Sequence, residues 1–107
     1  MIGIIDYGMG NLGSVYNACD FLKWKARVVQ RPEELASCAA VILPGVGAFG
    51  DCMKHLQQAN MAEPLRRWIE AGKPFLGICL GLQVLFEDSE ESPGVKGLGV
   101  LRGRVRR

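Results

Sequence analysis

Histidine is almost missing from this chain, and so is any paired cysteine motif. There is one histidine, His55, and the four cysteines (Cys19, Cys38, Cys52, Cys79) contain no C-x-x-C pair. Zinc ribbons, thioredoxin-type redox sites and disulfide frameworks need closer or more regular spacings. None of these is expected, and neither is a metal or a cofactor. No apolar run reaches the ~20 residues of a membrane-spanning helix. No leader of the secretory type is expected, because Met1 to Asp6 already reads as a strand. A reducing cytoplasm is therefore the expected location. Aromatic residues are only 7% of the chain, and none interleaves the arginines near its end. A nucleic-acid platform needs such interleaving, so no nucleic-acid or membrane partner is expected.

What is present suits one domain. The chain has 107 residues, 49% of them hydrophobic, enough for a modest core. Through residue 95 it carries eight basic and eleven acidic side chains; beyond it come Lys96, Arg102, Arg104, Arg106 and Arg107 and no acid. That basic tail reads as a strand with one arginine-rich face.

Strand and helix patterns alternate from end to end. Residues 2–6 are an apolar strand, and Leu12, Val15, Tyr16, Cys19 and Leu22 fall at helical spacing, predicting a helix over 12–23. Residues 25–30 read as a second strand, Arg31-Pro32-Glu33-Glu34 as the opening of a short helix, and residues 39–43 as a buried third strand. Asp51 is placed to cap the next helix, and Gly72 to end the one marked by Leu65, Trp68 and Ile69. A fourth strand over 75–78 leads into a helix expected to reach about Glu87. An acidic loop over 88–94 and a glycine-bearing strand or hairpin over 95–107 follow. This order predicts an α/β fold: a parallel, Rossmann- or flavodoxin-like sheet with helices on both faces.

Ligands of such sheets bind beyond the carboxyl ends of the strands. Three glycine-bearing turns fall there and should line one crevice: 7–13, 44–50 and 77–81. The third, Gly77-Ile78-Cys79-Leu80-Gly81, sets a cysteine between two glycines where a strand becomes a helix. That spacing suits a strained apex residue with no room for side chains two positions away. N–H groups at the start of the helix lower a thiol's pKa and can hold an oxyanion. Cys79 is thus the candidate nucleophile for acyl transfer, with the N–H groups of Gly47 and Leu80 as candidate oxyanion donors. The first turn holds a G-x-G-x-x-G (Gly8, Gly10, Gly13), but Gln30-Arg31 stands where a dinucleotide site wants an acid.

Three stretches carry a resemblance: Asp6-Tyr7-Gly8-Met9-Gly10-Asn11-Leu12, Leu43-Pro44-Gly45-Val46-Gly47-Ala48-Phe49, and Lys73 through Gln83. Together they resemble the class I, triad-type glutamine amidotransferases. The first two are most similar to the histidine-pathway branch, the glutaminase subunits of imidazole glycerol phosphate synthases. The resemblance runs along the whole chain in one register. It implies that Cys79 attacks the side-chain amide of glutamine and forms a glutamyl thioester. Water then releases glutamate, and ammonia passes to a (β/α)8-barrel cyclase subunit in a heterodimer. It also implies that Gly47 and Leu80 form the oxyanion hole after a peptide near Val46 rearranges. Gln83 and Glu91 would hold the glutamine, and Asn11 would lie near the partner.

One departure is serious. The class uses a Cys-His-Glu triad whose histidine and glutamate stand in a late His-Pro-Glu motif, and this sequence has none. His55 lies on a predicted helix and reads as an exposed helical histidine. Residues 1–107 are accordingly expected to be the amino-terminal half of a single amidotransferase domain, inactive alone and with a sheet edge left bare. Two rivals stay open. One is another elbow-type cysteine hydrolase, with Asp6 near the turn as activator. The other is a non-catalytic nucleotide-binding or docking module using Gly8 to Gly13.

Overall fold

The computed structural model describes residues 1–9 and 12–106. Gly10 and Asn11, the second glycine of the first turn and the expected partner-facing residue, lie outside the described residues. In chain order the elements are β1 (Ile2–Ile5), α1 (Leu12–Phe21), β2 (Ala26–Val29), a 3-10 helix (Pro32–Ser37), β3 (Ala40–Leu43), α2 (Phe49–Gln58), α3 (Ala62–Glu70), β4 (Phe75–Gly77), α4 (Leu80–Gln83), β5 (Asp88–Ser89) and β6 (Arg104–Val105). The first four strands form one all-parallel sheet in the order β2-β1-β3-β4.

The two faces of this sheet are covered unequally. Registered partners on parallel strands point the same way, so Val28, Ile4, Ile42 and Leu76 form one row across one face. Beneath α1 this row packs Ile4 and Ile42 against Cys19. It ends at Leu76, which is 54% exposed on the sheet's edge strand. The opposite face, with Ile5, Val29, Val41 and Leu43, joins one large cluster with Phe49, Met53, Leu56 and Leu65.

Helices α1, α2 and α3 end by one device. Lys23 (φ 62°), Asn60 (φ 57°) and Gly72 (φ 75°) each take the left-handed conformation. The next N–H then reaches back five residues: Trp24 to Cys19, Met61 to Leu56, Lys73 to Trp68. This satisfies carbonyls that the helix end would otherwise strand. After α3 the indole of Trp68 donates to the Pro74 carbonyl at 2.9 Å, which fixes the return into β4.

Three expectations need correction. Asp51 does not cap α2. Ala48 occupies the cap position without a side-chain bond, and the Gly50 N–H is instead met by Ser92 Oγ at 2.8 Å, from the acidic loop. Asp51 sits in the first turn, where its charge suits the helix dipole. Helix α4 stops at Gln83, not near Glu87. The carbonyls of Val84, Leu85, Phe86 and Glu87 accept instead from the N–H groups of Leu98, Leu101, Gly99 and Gly97. The segment after residue 95 is therefore no hairpin. It lies across the 84–87 turn and ends in β6, which pairs parallel to β5. Arg104 grips Asp88 there with two hydrogen bonds, 2.7 and 3.2 Å, and holds its carboxyl below the ordinary aspartate range.

Candidate active site

At the end of β4 the backbone turns sharply. Cys79 has φ 54° and ψ −116°, which few residues other than glycine adopt. Holding a non-glycine residue there costs about 1–3 kcal/mol. The flanking glycines are explained by contact. A Cβ on Gly77 would stand 2.6 Å from the Gly81 carbonyl oxygen, and one on Gly81 would stand 1.9 Å from that of Leu43. No side chain fits at either place. The strain lifts the thiol out of the fold: Cys79 is exposed, while Cys19 and Cys52 are buried and Cys38 is partly so.

The three turns meet at this edge of the sheet. A Cβ on Gly47 (φ 104°) would touch Met9, which joins the second turn to the first. One on Gly45 would stand 3.1 Å from both the Gly81 nitrogen and the Leu80 side chain, which joins the second turn to the elbow. The Ile78 N–H donates to Leu43 at 3.0 Å and the Leu80 N–H to Gly45 at 3.2 Å, so sheet-like pairing continues past β4. Of the two expected oxyanion donors, Leu80 is therefore engaged by the Gly45 carbonyl, and Gly47 lies on the exposed rim. Because α4 is a single turn, its dipole is short. Aimed N–H groups count for more here than a macrodipole.

The other expected residues fall as follows. Gln83 is partly buried on α4, with its N–H on the Cys79 carbonyl at 3.3 Å. Glu91 is exposed, in the loop that Ser92 ties to the start of α2. His55 is not the freely exposed helical histidine its sequence suggested. It is partly buried, its Nδ1 lies 2.8 Å from the Asp51 carbonyl, and its ring crowds Gly8. Asp6 is no activator for the thiol. Its carboxylate accepts from the Gly8 N–H (3.3 Å) and the Gln30 side-chain amide (3.0 Å). Strand β3 lies between β1 and β4, which sets the two strand ends about 9–10 Å apart. Among the described residues no group of His, Cys, Asp and Glu could hold a metal ion. A cleft of about 530 Å³ that includes Met53, Gln57, Arg67 and Lys96 in its lining contains none of Cys79, Gly47, Leu80, Gln83 and Glu91, so chemistry and not volume marks the site.

Two contributors were hidden in the sequence. Tyr7 is buried, and its hydroxyl donates to the Pro44 carbonyl at 2.6 Å and lies 3.1 Å from Cys52 Sγ. Burial, together with Cys52 beside it, pushes the phenol far above its ordinary pKa; burial also raises the Cys52 thiol. Ser92 is the second, as the remote cap of α2. A tyrosine within a glycine motif and a serine in an acidic loop carry no local signal of such contacts.

A cysteine on a strand-to-helix elbow, at the carboxyl edge of a parallel sheet, defines an α/β protein of the nucleophile-elbow class. Residues 9–106 match the CobB/CobQ-like glutamine amidotransferase domain, and the chain belongs to that family. It is 52% identical over 107 residues to "Imidazole glycerol phosphate synthase subunit HisH" of Halalkalibacterium halodurans, covering 100% of this chain and 50% of that protein. The protein of the same name from Desulfitobacterium hafniense is 55% identical over 107 residues, with 100% and 51% covered. That from Aquifex aeolicus is 55% identical over 103 residues, with 95% and 50% covered. A solved structure described as "Crystal structure of glutamine amidotransferase" superposes with a TM-score of 0.83 at 26% identity, over 99% of this chain and 56% of that one. The chain spans about half the length of the curated relatives it matches.

Proposed function

We propose that this chain is the amino-terminal half of a glutaminase domain of the imidazole glycerol phosphate synthase type, with Cys79 as its nucleophile. The strained, exposed Cys79 between two glycines that admit no side chain is the observation that carries this reading. The thiolate of Cys79 attacks the side-chain amide carbon of glutamine. The amide nitrogen leaves as ammonia, and water hydrolyses the thioester to glutamate. In the tetrahedral state the carbonyl oxygen becomes negative and needs two aimed donors. The N–H groups of Leu80 and Gly47 serve, once the 45–47 backbone turns and the Leu80 N–H leaves the Gly45 carbonyl. Gln83 and Glu91 hold the substrate, Glu91 through the α-amino group of glutamine. A (β/α)8-barrel cyclase subunit takes up the ammonia, with Asn11 assigned to the partner contact.

The chain's one histidine crowds Gly8 from α2 and stands outside any His-Pro-Glu motif. The base must therefore come from the other half of the domain. Without it, acyl transfer falls by several powers of ten.

Thiol mapping tests the site. After brief iodoacetamide treatment and mass-spectrometric mapping, Cys79 labels first. Cys38, whose sulfur lies 3.6 Å from the Glu34 carbonyl, follows slowly, and Cys19 and Cys52 last. Equal labelling of Cys79 and Cys38 argues against an elbow nucleophile.

A further inference from the structure

We propose that Tyr7 is a positioning residue for the oxyanion turn: its hydroxyl fixes the Pro44 carbonyl and thereby holds the Gly45 carbonyl on the Leu80 N–H. The inference rests on the glutaminase reading only for the use made of that N–H; the coupling itself stands on geometry. Tyr7 follows β1 and lies buried beneath the second turn. Its single proton goes to the Pro44 carbonyl at 2.6 Å, because a carbonyl can only accept. The remaining contact, 3.1 Å to Cys52, then takes the thiol proton on the phenol oxygen. Burial keeps both groups protonated across the neutral range, so this arrangement does not titrate away.

The next residue, Gly45, has no room for a side chain. A Cβ on Gly45 would stand 2.6 Å from the Tyr7 hydroxyl oxygen and 3.1 Å from the Gly81 nitrogen. The Pro44–Gly45 peptide is thus tied to the hydroxyl through its carbonyl and lies close against the elbow. The peptide that follows, Gly45–Val46, presents the Gly45 carbonyl to the Leu80 N–H at 3.2 Å. Tyr7 pins the base of the turn, so only the stretch from Gly45 to Gly47 is left to move when that N–H is needed by substrate. A core tyrosine with a satisfied hydroxyl and no further part would lack this continuity to the residue after the nucleophile.

Amide hydrogen exchange by NMR on the 107-residue chain tests it. Tyr7→Phe keeps the ring and deletes one oxygen. Exchange at Leu80 is expected to speed up about tenfold more than at Ile78, whose N–H pairs with Leu43 at the same elbow. Equal acceleration at the two amides, or none at Leu80, overturns the proposal, since a purely structural role lowers the protection of both together. The wild-type chain gives a second reading that needs no variant to fold. A slowly exchanging Tyr7 hydroxyl proton with nuclear Overhauser contacts to the Gly45 α-protons is expected, and its absence overturns the proposal. Thiol mapping of Cys79 fails or succeeds independently, so an inert thiol would remove the glutaminase reading and leave the Tyr7 coupling in place.

Discussion

Cys79 carries a backbone conformation that costs free energy, and the residues around it exist to impose it. Gly77 and Gly81 have Cβ positions already filled by main-chain atoms. The contrast with Gly72 is instructive, because a Cβ there meets only open space and the cost lies in φ alone. Gly81→Ala should therefore lower stability by more than about 3 kcal/mol, an overlap with backbone that no rotamer can relieve. Gly72→Ala should lower it by only about 1 kcal/mol. Urea midpoints of the two variants measure the difference, and comparable values for both would contradict the close approach at the elbow. The glycine–cysteine spacing made this residue legible from sequence alone. The capture of the Leu80 N–H by Gly45 was not legible, because it depends on how two distant turns meet.

Among the elements, existence was easier to read than extent. Strand cores and helix faces follow from apolar spacing, and Gly72 was a readable stop. The end of α4 was not readable, because its cause lies ten or more residues downstream, in N–H groups from 97–101 that take the carbonyls of 84–87. The missing cap of α2 has the same kind of cause, a serine some forty residues away. The end of α1 was masked differently. Lys23 holds a left-handed conformation at a position where glycine carries no penalty. Lys23→Gly is expected to raise stability by about 1 kcal/mol, read as a higher thermal midpoint. An unchanged or lower midpoint would mean that the Lys23 side chain makes up for its strain.

At the scale of the molecule the two sheet faces differ. One is buried under α2 and α3 and the segments around them; the other has only α1, which leaves Leu76 half exposed on edge strand β4. Among the described residues the edge anticipated from the sequence is present at β4, where no further strand pairs and an apolar side chain is exposed. Such an edge favours self-association. Leu76→Lys should reduce concentration-dependent association in analytical ultracentrifugation and leave the far-ultraviolet circular dichroism unchanged. Association that persists in that variant would place the sticky surface elsewhere, for instance at Phe21 and Trp24, which are 85% and 53% exposed.

The central claim is that Cys79 performs amide chemistry once a base is supplied. Glutamate release from glutamine measures it most directly, on the 107-residue chain and on the same chain joined to the second half of the Desulfitobacterium hafniense relative. The chain alone is predicted to stay at background, while the joined chain turns glutamine over and loses that turnover with Cys79→Ala. Robust turnover by the chain alone, a folded joined chain that releases nothing, or release that survives Cys79→Ala would contradict the account.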